Sequence, residues 1–144
     1  MQIFKEDKIM TRREAREALF ALLYEMTFND ASELETTIST AREMRDIEDE
    51  YILTSVRGTY KNLEAIDTQI EENAKGWKIS RLAKTTLSIL RLSIYEMLYG
   101  GIPYTISINE AVELAKKYDH DQAPVFINGI LNTVAQKNGL KNTQ

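Results

Sequence analysis

The chain has no cysteine and only one histidine among its 144 residues. Without thiols there can be no disulfides and no thiolate metal sites, which fits a reducing compartment. A nucleophile–base pair would have to be assembled from serine or lysine alone. Proline occurs twice and glycine six times, too few for a low-complexity linker or a loop-built fold. No apolar run approaches the roughly 20 residues that span a bilayer. The opening stretch, MQIFKEDKIMTRREAR, carries charge where a signal peptide carries an apolar segment. A cytoplasmic location follows as the expectation. No glycine-rich loop follows a strand, so phosphate-cradling nucleotide motifs are missing. Neither an enzymatic activity nor a cofactor is expected.

What is present is globular. With 43% hydrophobic and 28% charged residues, the chain can bury a core as one domain or as two small subdomains sharing one. The net charge of −4 is unevenly spread. Residues 1–24 carry five Lys/Arg against four Asp/Glu, residues 25–74 four against thirteen, and residues 75–144 nine against five. A polyanionic ligand would avoid the middle segment and choose the two ends. Any single charge block is more commonly just a solvated helix face.

Helical periodicity dominates, and no alternating strand pattern stands out. The spacing predicts a first helix over about 11–27, opened by a Thr11-x-x-Glu14 capping box. Its core stripe is Ala15, Ala18, Leu19, Leu22, Leu23 and Met26. A second helix follows Asn29-Asp30, with Leu34, Ile38 and Ala41 inward. From near Ile47, the series Ile52, Val56, Tyr60, Leu63, Ile66 and Ile70 predicts one helix of more than six turns. Gly76 ends it, and Trp77 is expected to plug the junction. Ile79 to Tyr99 forms the next helix, with Leu82, Leu90, Ile94, Met97 and Leu98 inward, stopping at Gly100-Gly101. Ser107 and Glu110 form a second capping box for a helix ending near Tyr118. Pro124 opens the last helix, which runs through about Lys137. Phe126 or Ile127, then Ile130, Leu131 and Val134, face inward. The expected fold is all-α, a compact bundle of two small three-helix-type units spanning about 11–76 and 77–138.

At about 100° per residue, Arg13, Arg16, Phe20 and Tyr24 fall opposite the core stripe of the first helix, with Arg12 at the flank. Guanidinium groups neutralise phosphates and aromatic faces stack on splayed bases, so this stripe suits single-stranded RNA. The pattern equally admits Phe20 and Tyr24 packing beneath a neighbouring subdomain, the commoner fate of helical aromatics. The arginines are expected to stay exposed in both cases. The last helix offers a second surface in Phe126, Asn128 and Gly129 near its N-terminus, where free backbone N–H groups favour an anion. Gly129 within a helix costs about 1 kcal/mol relative to alanine, so it should permit a close approach, by a ligand or by the next helix. His120, between Asp119 and Asp121, reads as part of a solvated turn. Three consecutive residues do not converge easily on one metal ion.

Several segments together resemble the NusB transcription-antitermination family. Ile108-Asn109-Glu110-Ala111, continuing through Glu113-Leu114-Ala115-Lys116-Lys117-Tyr118, is similar to its INEAVELAKKF signature. Phe126-Ile127-Asn128-Gly129-Ile130-Leu131 is similar to its F-V-N-G-V-L element. Arg12-Arg13, Ala15-Arg16-Glu17 and Leu23-Tyr24 resemble its arginine-rich first helix. Gly58, Asn62, Asp67, Trp77, Arg81-Leu82, Leu90-Arg91-Leu92 and Tyr95-Glu96 also match. The resemblance runs from about Thr11 to Val134.

It implies a fold of two small helical bundles and a role in antitermination on ribosomal RNA operons. It also implies pairing with NusE, a ribosomal small-subunit protein, and joint binding of single-stranded boxA RNA within the transcription elongation complex. Carried over, Arg12, Arg13, Arg16, Tyr24, Phe126 and Asn128 are the RNA-binding candidates, and Glu96, Tyr104 and Glu110 the partner-binding ones. Glu110 has a rival capping role, and Glu96 a rival role as an internal ion-pair partner. The sequence departs from the family pattern at Thr86-Leu87, in place of an acid–base pair, and at Gln122 and Val125 before the F-x-N-G element. Glu14 dilutes the positive first helix. Weak RNA binding alone, strengthened by the partner, is the expectation, and Arg13→Glu with Arg16→Glu should abolish it while sparing the fold. The alternative is a helical protein-interaction module or homodimer with little affinity for RNA.

Overall fold

The computed structural model describes residues 10–141. Among these residues there are seven α-helices: α1 (Arg12–Met26), α2 (Leu34–Arg45), α3 (Glu50–Lys61), α4 (Leu63–Asn73), α5 (Lys84–Leu98), α6 (Tyr104–Tyr118) and α7 (Ala123–Lys137). Short 3-10 turns at Ala31–Glu33 and Ile79–Arg81 lead into α2 and α5. No strand occurs among the described residues, and no helix there is long and apolar enough to cross a membrane.

The centre of the molecule is α5, which packs against α1, α3, α4, α6 and α7. Every residue from Thr86 to Met97 is buried. A helix surrounded on all sides must be tolerable to the core on all sides. This explains the small, hydroxyl-bearing Ser88 and Ser93 among its leucines and isoleucines. Ser88 returns its hydroxyl to the Lys84 carbonyl at 2.7 Å. One-sided burial through Leu82, Leu90, Ile94, Met97 and Leu98 was therefore too narrow an expectation.

The termini explain where the helices lie. Thr11 Oγ1 accepts from the Glu14 N–H at 3.1 Å, and the Glu14 carboxylate accepts from the Thr11 N–H at 3.3 Å, the reciprocal cap the sequence predicts. At the other end of the core helix, Gly101 takes φ +70° and the Ile102 N–H reaches back to the Glu96 carbonyl at 3.1 Å. That left-handed residue turns the chain back over the last turn of the helix and satisfies one of its free carbonyls. Pro124 stands in the first turn of α7.

Four expectations are corrected. The long helix from Ile47 is two helices. Asn62, at φ −109°, donates its side-chain amide to the Gly58 carbonyl at 2.8 Å and ends the first of them. Side-chain competition for a backbone carbonyl is a known helix breaker. The break lets α3 lie on α1 and α5 while α4 turns onto α5 and α7. The helix predicted from Ile79 begins at Lys84, because extended backbone at Leu82 and Ala83 intervenes after the 3-10 turn. Ser107 and Glu110 are not a capping box. Proline at 103 presets the turn four residues earlier, and the Ser107 N–H is already bonded to the Pro103 carbonyl at 3.0 Å. Trp77 does not plug a junction but stands 51% exposed.

Candidate nucleic-acid interface

The four-residue stripe that falls opposite the core stripe of α1 is divided by the structure. Its two ends reach the surface and its middle does not. Arg13 keeps 66% of its side chain exposed, and Tyr24 is 38% exposed. Arg16 is 4% exposed and Phe20 7%. The cause is tertiary: α1 is wedged between α3 and α5, and its far side is reached by side chains of α6. Tyr118 of α6 lies over Phe20 with ring centroids 5.3 Å apart. The packed reading of Phe20 is the correct one, and the expectation that all the arginines stay exposed fails at Arg16.

Arg16 is the donor in a buried polar cluster. Its Nε and Nη2 donate to Glu96 of α5 at 3.1 and 2.9 Å. The Tyr51 hydroxyl of α3 donates to the same carboxylate at 2.6 Å, and the Ser107 hydroxyl of α6 at 2.9 Å. Glu96 is wholly buried, so it presents no surface to a partner, and its candidate partner role is corrected to an internal one. Burial works against the Arg16 charge, but the Glu96 hydrogen bonds and charge outweigh it and hold the guanidinium above its ordinary pKa. Burial first, then the neighbouring Glu96 charge, pushes the Tyr51 hydroxyl up, so it remains a donor. The cluster bolts α1, α3, α5 and α6 together. On its outer side the exposed Arg12 guanidinium lies over the Tyr51 ring, 4.1 Å from its centroid.

Beside it, α1 and α6 enclose an open cleft of about 340 Å³ lined by Arg13, Glu17, Glu110, Lys116 and Lys117. Arg13 is held by both oxygens of Glu110, at 3.2 and 2.9 Å. Lys117 Nζ and the Tyr118 hydroxyl both donate to Glu17, at 2.8 and 2.9 Å. Hydrogen bonding and charge from Arg13 hold the Glu110 carboxyl below its usual range despite partial burial. A lowered carboxylate keeps its pair until the pH falls through that lowered value. Both members of the Arg13–Glu110 fork are therefore charged at neutral pH.

From this charged cleft an aromatic run follows α1, exposed at Tyr118, Tyr24 and Phe28 and buried at Phe20. Tyr118 meets Phe20, Phe20 meets Tyr24 at 6.3 Å, and Tyr24 meets Phe28 edge-on at 5.2 Å. Lys84 sits 4.5 Å over the Phe28 ring. Phe126 is half-buried and lines a second cleft with Trp77 and Arg81. Asn128 is exposed, its side-chain oxygen accepting from Asn132 at 3.2 Å. Gly129 faces open space: an added Cβ would meet nothing within 4 Å, so no neighbouring helix requires a glycine there. Tyr104 is half-buried at the start of α6.

Lys116, Lys117, Tyr118, Phe28, Lys84, Trp77 and Arg81 were not among the predicted site residues. Helical spacing shows Lys116 and Lys117 to be outward on α6, but not that α6 lies beside α1. The turn at Asp119-His120-Asp121 is only partly solvated. Asp119 is 4% exposed and accepts from the Thr86 hydroxyl at 2.7 Å and the His120 N–H at 2.9 Å. No group of three or more residues able to hold a metal occurs among the described residues.

The sequence profile of the NusB family matches residues 13–136. The chain is 47% identical over 131 residues to the transcription antitermination protein NusB of Acetivibrio thermocellus, covering 88% of this chain and 90% of that one. It is 48% identical over 134 residues to the protein of the same name from Natranaerobius thermophilus, covering 89% and 96%. Among solved structures, T. maritima NusB aligns with a TM-score of 0.79 at 31% identity, covering 89% of this chain and 92% of that one. A chain of the complex of antitermination factors NusB and NusE with dsRNA aligns with a TM-score of 0.77 at 25% identity, covering 88% and 96%. A profile match across nearly the whole bundle, together with relatives of this identity and coverage, places the chain in the NusB family, to which it belongs.

Proposed function

We propose that this chain is an RNA-binding antitermination factor that grips an unpaired stretch of boxA-type RNA, jointly with a NusE-type partner, as the transcript emerges from the elongating polymerase. The observation that carries this reading is the continuous surface built from α1, α6 and the start of α7. Basic groups at Arg12, Arg13, Lys116 and Lys117 border the aromatic run from Tyr118 to Phe28. Cations track phosphates, while ring faces stack on bases that a duplex would keep inside. The structural relative in complex with NusE and dsRNA supports RNA as the ligand and NusE as the partner, while the choice of an unpaired strand rests on the exposed rings. Tyr104 and Glu110 are the partner contacts we propose on the C-terminal side, since Glu96 is buried.

Much of the basic surface is answered by the protein's own carboxylates, Glu110 on Arg13 and Glu17 on Lys117. An RNA phosphate that takes both donors of the Arg13 fork must displace Glu110. Binding by the chain alone should therefore be weak, and a partner that draws Glu110 away should strengthen it. The test is a fluorescence-anisotropy titration with single-stranded boxA-type RNA and with a duplex of the same sequence, with and without the partner. Tighter binding of the single strand, further tightened by the partner, is expected; equal affinity for the duplex would overturn the unpaired-strand reading. In the same assay Glu110→Gln should bind RNA about three- to tenfold more tightly without partner, as one competing charge is removed. Weaker binding would show that Glu110 is no competitor of the phosphate.

A further inference from the structure

Trp77 is the chain's one tryptophan and stands half-exposed beside α7. An exposed indole forgoes a large burial gain, so its placement calls for a reason. The backbone holds it there. Gly76 at φ +88° turns the chain out of α4, the Trp77 N–H is tied to the Ala74 carbonyl at 3.2 Å, and the 3-10 turn at Ile79–Arg81 follows. The indole forms one wall of a cleft of about 400 Å³, shared with Phe126, Leu82, Thr86, Arg81 and His120.

Arg81 is the one Lys, Arg, Asp or Glu side chain among the described residues lining this cleft. Asp119, which would repel a phosphate, is sealed by the Thr86 hydroxyl and is 4% exposed, leaving Asp121 as the nearby free carboxylate and Arg81 and His120 on the lining. The bond from Thr86 to Asp119 also ties the start of α5 to the end of α6. The cleft therefore continues the surface that carries Tyr118 and, through Lys84, Phe28.

We propose that this cleft is a stacking pocket for one unpaired base of the bound RNA. Trp77 and Phe126 offer it ring faces, and the Arg81 guanidinium meets the adjoining phosphate. Stacking on an aromatic face tolerates any base, so the pocket adds affinity and register more than sequence choice. This inference rests on the RNA-binding reading above.

Because the chain has no other tryptophan, its intrinsic emission reports on this cleft alone. A labelled single-stranded boxA-type oligoribonucleotide is titrated while its anisotropy and the tryptophan emission are followed together. Quenching that saturates with the anisotropy is expected, and Trp77→Ala should weaken binding about 10- to 100-fold while Trp77→Phe retains most of it. Circular dichroism of both variants should match the parent, since the side chain is half in water. RNA binding by anisotropy with unchanged emission, and with Trp77→Ala binding as tightly as the parent, would overturn the pocket and leave the RNA reading standing. Absence of any anisotropy change would overturn that reading and the pocket with it. An emission change driven fully by the protein partner, to which RNA adds nothing, would assign the cleft to protein docking and overturn the proposal.

Discussion

Glu96→Ala is expected to destabilise the protein by about 3–5 kcal/mol, the loss found when one member of a buried ion pair is removed. Both partners are almost wholly inside, at 4% and 0% exposure. The substitution strands the Arg16 guanidinium and leaves the Tyr51 and Ser107 hydroxyls without their acceptor. A protein of this size has only about 5–15 kcal/mol of stability, so a large part of the total is lost. Urea denaturation followed by circular dichroism gives the midpoint. Arg16→Met combined with Glu96→Gln removes both charges and keeps an oxygen to accept from Tyr51, while the amide N–H2 can donate to the Ser107 hydroxyl, which has the Ser93 carbonyl as its own acceptor at 3.3 Å. That double variant should recover more than half of the loss, because the penalty comes from the unpaired charge and not from absence of the pair. A Glu96→Ala protein as stable as the parent would show that the cluster holds nothing together.

Charge reversal at Arg12 and Arg13 has the largest expected effect on RNA capture. Arg13 is mostly exposed, and Arg12 lies on the outer face of Tyr51. Their contribution to stability is the small one of a surface ion pair and an exposed cation–π contact. Replacing both with glutamate should leave the fold intact. It should lower affinity for single-stranded RNA on the order of 100-fold and reduce the salt dependence by about 0.7 in log–log slope for each phosphate no longer neutralised. Titrations at several salt concentrations measure both quantities. Unchanged affinity and slope would remove Arg12 and Arg13 from the interface. Arg16→Glu is not a clean probe, contrary to the sequence-based expectation, since it would set a second carboxylate against the buried Glu96.

The elements were largely legible because their signals are local. The Thr11–Glu14 cap, the paired glycines after Tyr99 and Pro124 each act within one turn of chain, and the structure places helix ends beside them. The break at Asn62 was hidden because the apolar spacing runs on in register from Val56 to Ile66. Only an amide reaching back four residues interrupts it. The site was legible in its residue types and only partly in its exposure. Arg16 reads as a surface arginine on any helical wheel, and its carboxylate partner lies 80 positions away on another helix. The same holds for Glu110, whose capping spacing with Ser107 is real in the sequence but unused, since it meets Arg13 from 97 positions away. The motif residues Lys116 to Tyr118 gain their place in the surface only when α6 is laid against α1. Long-range pairing of this kind leaves no periodic trace.

Ultraviolet cross-linking of an unpaired boxA-type RNA to the intact protein, followed by peptide mapping, puts the question most directly. Adducts on α1, the end of α6, the start of α7 and the Trp77 cleft, with Tyr24 and Phe126 among them, are the predicted result. Adducts concentrated on α2 and α3, with α1 and α7 untouched, would contradict it.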